Sequence, residues 1–167
     1  MWVALFSNSG NELASICEKL GRWPDKVYLD KERTEVNPWI KNQCEVLPHA
    51  DILERLKELP EDAIVTLHGY LRIISGDSIR SNMYNVHPGD IIKYPELVGI
   101  HPQRKAVDLN LPTTGVVIHK VTDKLDGGDI QLFFSHDIEE GTDEKKLIDE
   151  LRILSIKMWV MLLKGKL

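Results

Sequence analysis

Cysteine is nearly absent from these 167 residues: Cys17 and Cys44 are the only two, and they are not in CxxC spacing. So few thiols exclude a disulfide framework, and both are expected as free thiols in a reducing cytosol. An excess of basic charge is also missing. The chain has 21 Lys and Arg against 26 Asp and Glu, a formal net charge of −5, which argues against a nucleic-acid backbone as the main partner. Long apolar runs are lacking too. The longest late stretch, residues 158 to 163, falls far short of a membrane span and ends at Lys164. The first residues, Met1 to Ser7, carry no positive n-region and no small-residue cleavage site, and read as a strand. No HExxH, Cys-His cluster or carboxylate cage is present, so no metal is expected. No repeat or low-complexity linker divides the chain. The expectation is one soluble cytoplasmic domain spanning residues 1–167, without a membrane partner.

What is present is a strand and helix alternation. Trp2 to Phe6 is a compact apolar run that stops at Ser7-Asn8-Ser9-Gly10. Leu13, Ile16, Cys17 and Leu20 then repeat at three and four residues, and Gly21 with Pro24 ends them. Val27 to Leu29 reads as a second strand, and residues 31 to 46 are polar and irregular, without a clear element. Ile52, Leu53, Leu56 and Leu59 form another helical stripe, closed by Pro60. Ala63 to Leu67 has the composition of a strand buried in a parallel sheet, followed by His68-Gly69-Tyr70 as a loop. A short helical segment is expected near Asp77 to Ser81, a strand at Met83 to Val86, and a helix from His101 to Leu109 after a Pro-rich loop. Thr114 to Val121 and Ile130 to Ile138 read as strands joined by a turn at Asp126-Gly127-Gly128, and a helix begins near residue 143. The fold class is α/β: a mostly parallel sheet with an antiparallel extension.

Ligands of such sheets sit at the carboxyl ends of the strands. Three of those ends carry unusual polar groups: Ser7 to Asn11, His68 to Arg72, and Asn85 to His87. Asn85 and His87 are two apart, so on a strand they point the same way. An amide beside an imidazole suits a developing oxyanion, and Asp126 could orient His87 or accept a proton through water. Spacing alone leaves the plainer alternative open, because Asn, His and Asp also cap strands and turns.

Several motifs arrive together. Tyr84-Asn85-Val86-His87-Pro88 followed by Lys93-Tyr94-Pro95, then Thr114 to His119, then Val121 to Gly128, and Leu67 to Ser75 before them, resemble in order and spacing the phosphoribosylglycinamide formyltransferase family of folate-dependent enzymes. The resemblance covers about residues 63 to 131, with a weaker match from the first strand through Leu13. It implies a single Rossmann-like formyltransferase domain with 10-formyltetrahydrofolate as formyl donor and a small-molecule amine as acceptor. It also implies catalytic roles for Asn85, His87 and Asp126. Asn85 and a protonated His87 would stabilise the oxyanion, and Asp126 would favour the charged imidazole. The donor's pterin is expected against Leu71, Arg72, Ile73 and Ile74 and the loop holding Thr122 and Asp123.

The acceptor side departs from that family. Its Gly-Ser-Asn turn holds a substrate phosphate at a helix N-terminus, and the matching stretch here is Gly10-Asn11-Glu12. With Ser9, these are the candidate substrate-binding residues. A carboxylate suits the helix dipole but opposes a phosphate; solvated helix surface is the alternative reading of Glu12. The family reads His-Pro-Ser-Leu-Leu-Pro where this chain has His87-Pro88-Gly89-Asp90-Ile91-Ile92, and Ser155 falls near the place of a family carboxylate that meets the substrate ribose. An acceptor other than glycinamide ribonucleotide is therefore expected, a nucleotide- or sugar-linked small molecule. A formyltetrahydrofolate hydrolase and a catalytically silent folate- or nucleotide-binding module are the alternatives. His119 reads as a hydrogen-bonded strand residue packed beneath the site, with a supporting role as its alternative. His49 reads as a helix start, His136 as an exposed strand position, His101 as surface loop, and the four tryptophans as core or partner-face residues. Apolar residues near the C-terminus permit a homodimer without requiring one.

Overall fold

Five buried residues in a row, Trp2–Phe6, form β1, and a strand buried on both sides needs a layer on each face of its sheet. The structure, a computed structural model, describes residues 1–167. After β1 come α1 (Asn11–Leu20), β2 (Lys26–Leu29), α2 (Pro38–Lys41), β3 (Cys44–Val46), α3 (His49–Lys57), β4 (Ile64–His68), β5 (Met83–His87), α4 (Pro102–Asp108), β6 (Thr113–Lys120), β7 (Ile130–Asp137) and α5 (Glu144–Lys164). All seven strands join one sheet in the order β3-β2-β1-β4-β5-β6-β7. β1 to β5 are parallel, while β6 and β7 add on antiparallel, as the late alternation predicts.

The chain leaves β1 toward β2 and β3, then returns to lay β4 on the other side of β1. That reversal opens a crevice at the carboxyl ends of β1 and β4. Trp2, Ala4 and Phe6 face a core shared with Leu13 and Ile16 of α1 and Leu151 and Trp159 of α5. Val3 and Leu5 face the opposite core, with Ile52 and Leu56 of α3. Gly10 starts α1 at φ +71°, where a side chain would be strained and would crowd Phe6 at 3.1 Å. Asp143 caps α5 by accepting the Lys146 N–H at 2.8 Å. No helix is long and apolar enough to cross a membrane.

Several elements differ from expectation. The unplaced stretch 31–46 contains α2 and β3. Asn37 caps α2 and Pro38 starts it, but four residues give no periodicity, and β3 is a short edge strand with two exposed residues. His68 is not in a loop. It ends β4, buried, with its ring 4.8 Å from that of Trp159. A 3-10 turn at Pro95–Leu97 interrupts the Pro-rich loop. Trp2 and Trp159 are core, whereas Trp23 stacks on Trp39, which is 70% exposed. His136 is half-buried and pairs with Glu150 at 2.9 Å.

Candidate active site

β5 supplies the first two groups. Asn85 and His87 alternate onto one face, and the antiparallel pairing of β5 with β6 sets His119 directly opposite Asn85. The ladder between β6 and β7 shifts register at Ile118 and His119, a local irregularity of the kind that re-aims a side chain.

The loop after β6 brings in the carboxylate. The Val121 N–H donates to the Met83 carbonyl, and the Lys120 N–H to that of Asp129, both at 2.9 Å. Gly128 lies so close to the Lys120 carbonyl that a Cβ would stand 1.9 Å from its oxygen. Asp126 has φ +49°, the left-handed region that Asp enters more readily than most residues. Its Oδ2 lies 3.3 Å from His87 Nδ1 and accepts the Gly99 N–H at 2.9 Å. Its Oδ1 lies 3.4 Å from His119 Nε2, and that same nitrogen lies 3.4 Å from Asn85 Nδ2. The structure therefore brings Asn85, His87 and Asp126 together, and His119 joins them.

Carbonyl partners fix part of the proton arrangement. His87 Nε2 stands 2.8 Å from the Leu97 carbonyl, and His119 Nδ1 stands 2.8 Å from that of Lys120. A carbonyl only accepts, so each of those nitrogens carries its hydrogen. Each ring thus turns its other nitrogen toward Asp126. Burial lowers the His87 pKa; the Asp126 charge and the Leu97 carbonyl oppose this, while His119 and Lys105 add to it. Burial thus works against a charge on the ring, while the placement of Nδ1 against Asp126 works for one. Burial alone would raise the Asp126 carboxyl, but the His119 hydrogen bond, the His87 charge and the Gly99 N–H together hold it below its ordinary range.

The stretch expected at the donor follows β4. Leu71, Arg72 and Ile73 are exposed, whereas the Ile74 side chain belongs to the core on the α3 side rather than to an open wall. Ser7 Oγ accepts the Leu71 N–H at 2.9 Å, and Arg72 Nε donates to buried Asp30 at 2.9 Å. His49 is more than a helix start. Its Nε2 meets the Ile73 carbonyl at 3.1 Å, so its Nδ1 accepts from the Tyr70 hydroxyl at 2.7 Å, and it braces the stretch twice. Thr122 and Asp123 are exposed, and Asp123 accepts the Gly76 N–H at 3.0 Å. His49 gave no sequence signal, since its partners lie 21 and 24 residues away.

The acceptor-side candidates cluster at the β1–α1 turn. Ser9 Oγ accepts the Asn11 N–H at 3.4 Å, Gly10 makes the turn, and Asn11 Oδ1 accepts from Asn37 at 3.0 Å. Glu12 is not solvated surface. It turns inward, and its Oε1 accepts from Ser155 Oγ at 2.6 Å. Two of the positions at which the sequence departs from the resembled pattern, Glu12 and Ser155, are thus hydrogen-bonded to each other across 143 residues of chain.

The pattern of a family described as formyl transferase matches residues 24–162. The phosphoribosylglycinamide formyltransferase of Escherichia coli (strain K12) is 36% identical over 72 residues, covering 41% of this chain and 32% of that protein. The trifunctional purine biosynthetic protein adenosine-3 of Bos taurus is 28% identical over 109 residues, covering 64% of this chain and 10% of that protein. The matches thus span a third or less of these relatives' own length. Among solved structures, the phosphoribosylglycinamide formyltransferase from Bacillus halodurans has a TM-score of 0.80 at 24% identity, covering 96% of this chain and 92% of the other. The same likeness holds for glycinamide ribonucleotide transformylase 1 from Symbiobacterium toebii, with a TM-score of 0.79 at 23% identity, covering 96% of this chain and 84% of the other. At these identities the likeness is one of fold.

Proposed function

The chain belongs to the formyl transferase family, and from that premise we propose that it transfers a formyl group from 10-formyltetrahydrofolate to the amine of a small molecule other than glycinamide ribonucleotide. The observation that carries this reading is Asp126, whose two oxygens face His87 and His119 beside Asn85.

The chemistry runs as follows. An unprotonated amine attacks the formyl carbon, forming the new C–N bond as the carbonyl electron pair moves to oxygen. Asn85 and His87 stabilise that oxyanion. His87 Nδ1 lies 3.3 Å from Asp126, long for a charge-assisted bond, so the N–H that the protonated ring carries there can be shared with the oxyanion. The proton that the attacking nitrogen releases passes through these groups or a bound water. Asp126 stabilises the charge, and collapse of the intermediate breaks the bond to the folate nitrogen, which receives the proton.

Two features support an acceptor different from that of the relatives. Their names specify a phosphoribosyl compound, which carries a phosphate, while Glu12 places a carboxylate at the start of α1. The test is incubation with 10-formyltetrahydrofolate, with and without glycinamide ribonucleotide and a panel of amino sugars and amino nucleotides, following formylated product and formate. Product with a panel amine in preference to the ribonucleotide is expected. Formate release independent of any amine makes the protein a hydrolase, and no folate binding removes both enzymatic readings.

A further inference from the structure

Three consecutive residues, Leu97, Val98 and Gly99, touch both members of the His87–Asp126 pair. The Leu97 carbonyl accepts from His87 Nε2 at 2.8 Å. The Gly99 N–H donates at 2.9 Å to Asp126 Oδ2, the same oxygen that faces His87 Nδ1. Between them, the Val98 carbonyl accepts from Lys105 Nζ of α4 at 2.9 Å. That carbonyl and the Gly99 N–H belong to one peptide group. In a planar trans peptide they point in opposite directions, so Lys105 and Asp126 hold the two sides of the same rigid unit.

The local chain does not fix which way this peptide faces. Val98 at φ −59° and ψ 141°, followed by Gly99 at φ +85°, has the dihedrals of the centre of a type II turn. Turning the central peptide over converts such a turn to type I, and glycine at the second position accepts either sign of φ. The overturned peptide would aim the Val98 carbonyl at the Asp126 carboxylate and withdraw the Gly99 N–H. A cation fixed on the carbonyl opposes that reversal. Lys105 is half-buried at this place, and its ammonium polarises the peptide it binds, which strengthens donation from the opposite N–H.

We propose that Lys105 is a positioning residue of the formyl-transfer site: by holding the Val98 carbonyl it orients the Val98–Gly99 peptide, whose N–H sets the Asp126 carboxylate against His87. Lys105 acts through that peptide rather than on the reactants. This rests on the proposed formyl transfer.

The sign of one substitution separates this role from a plainer one. The Lys105 charge disfavours an imidazolium at His87, so a lysine acting only as a nearby charge would slow the reaction, and its removal would raise turnover. Lys105→Met keeps the length of the side chain and removes both donor and charge. With the best amine of the panel, or by formate release if there is none, it should lower kcat about 10-fold or more, the contribution of one hydrogen bond to a charged group. The KM for 10-formyltetrahydrofolate should stay within about twofold. Lys105→Arg, which keeps a charged donor, should recover most of the loss. The Gly99 amide proton resonance, carried downfield by its bond to a carboxylate, should move upfield in Lys105→Met and return in Lys105→Arg. Unchanged or raised kcat in Lys105→Met, or a Gly99 resonance that stays in place, overturns this role while leaving formyl transfer standing. Absence of any turnover by the wild type, with every panel amine and without one, overturns both.

Discussion

Asp126→Asn keeps the size of the side chain and one acceptor for the Gly99 N–H, but removes the charge between His87 and His119. A carboxylate about 4 Å from a unit positive charge is worth about 4 kcal/mol at an effective dielectric near 20. His87 Nδ1 stands 3.3 Å from Asp126, and both side chains are only 6% exposed, so solvent screening is limited. Because the bond from His87 to the oxyanion exists only during reaction, the loss falls on the transition state more than on substrate binding. Taking half to all of the Coulomb figure gives about 2–4 kcal/mol, a fall in kcat of roughly 30- to 1,000-fold. The assay is steady-state turnover at saturating donor with the best acceptor of the panel, or formate release if there is none, across neutral pH. Thermal unfolding of both proteins should be followed in parallel. A folded carboxyl below its unfolded value contributes stability above the ordinary carboxylate range and loses it as pH falls through the lowered value. The wild type should therefore outlast Asp126→Asn at neutral pH and lose that margin in acid. Turnover within about threefold of wild type would refute the proposed use of the Asp126 field.

Gly128→Ala would set a Cβ 1.9 Å from the Lys120 oxygen, forcing the loop outward. A displacement near 1 Å at Asp126 should cost about 100-fold in kcat, read by the same assay, against a modest loss in melting temperature. His49→Phe removes both hydrogen bonds to Tyr70 and Ile73 and should raise the KM for the folate donor with kcat at saturation retained; an unchanged KM would mean that the brace does not shape the donor site. His68 is held neutral by burial, its pKa lowered to about 3. The unfolded chain binds that proton first, so stability is lost as pH falls from about 6.5 toward 3. His68→Leu should flatten that part of the acid-unfolding curve, as measured by denaturant melts at stepped pH.

Legibility in the sequence followed the range of the signal. The central strands and α1, α3 and α5 were readable because periodicity and caps are local: Leu13, Ile16 and Cys17 face the core in α1, and Asp143 precedes α5. The short elements α2 and β3 were not, since four and three residues carry no period and β3 sits at the sheet edge. Asn85 and His87 were legible as a same-face pair by lying two apart on one strand, and the motifs around them singled them out as a site. The partnership of His119 with Asn85 depends on the register of β5 and β6, and a connection of 25 residues, 88 to 112, contains no cue to that register. The burial of His87 was not legible for a related reason: the Asp126 partner was foreseen, but burial is set by what the fold packs around the ring.

Glu12 and Ser155 carry that reasoning one step further. Read singly, each looked like a substitution at the acceptor side, and Glu12 alone was equally well explained as solvated helix surface. Their hydrogen bond at 2.6 Å turns two independent departures into one linked change. A carboxylate taken into partial burial requires a donor beside it, and Ser155 is that donor. α1 and α5 pack directly together, so a change in the first turn of α1 is answered on the facing turn of α5. The brace formed by His49, Tyr70 and Ile73 belongs to the other face of the sheet, on the α3 side. A change in the first turn of α1 is therefore accommodated on α5 without disturbing the residues packed on the other face of the sheet.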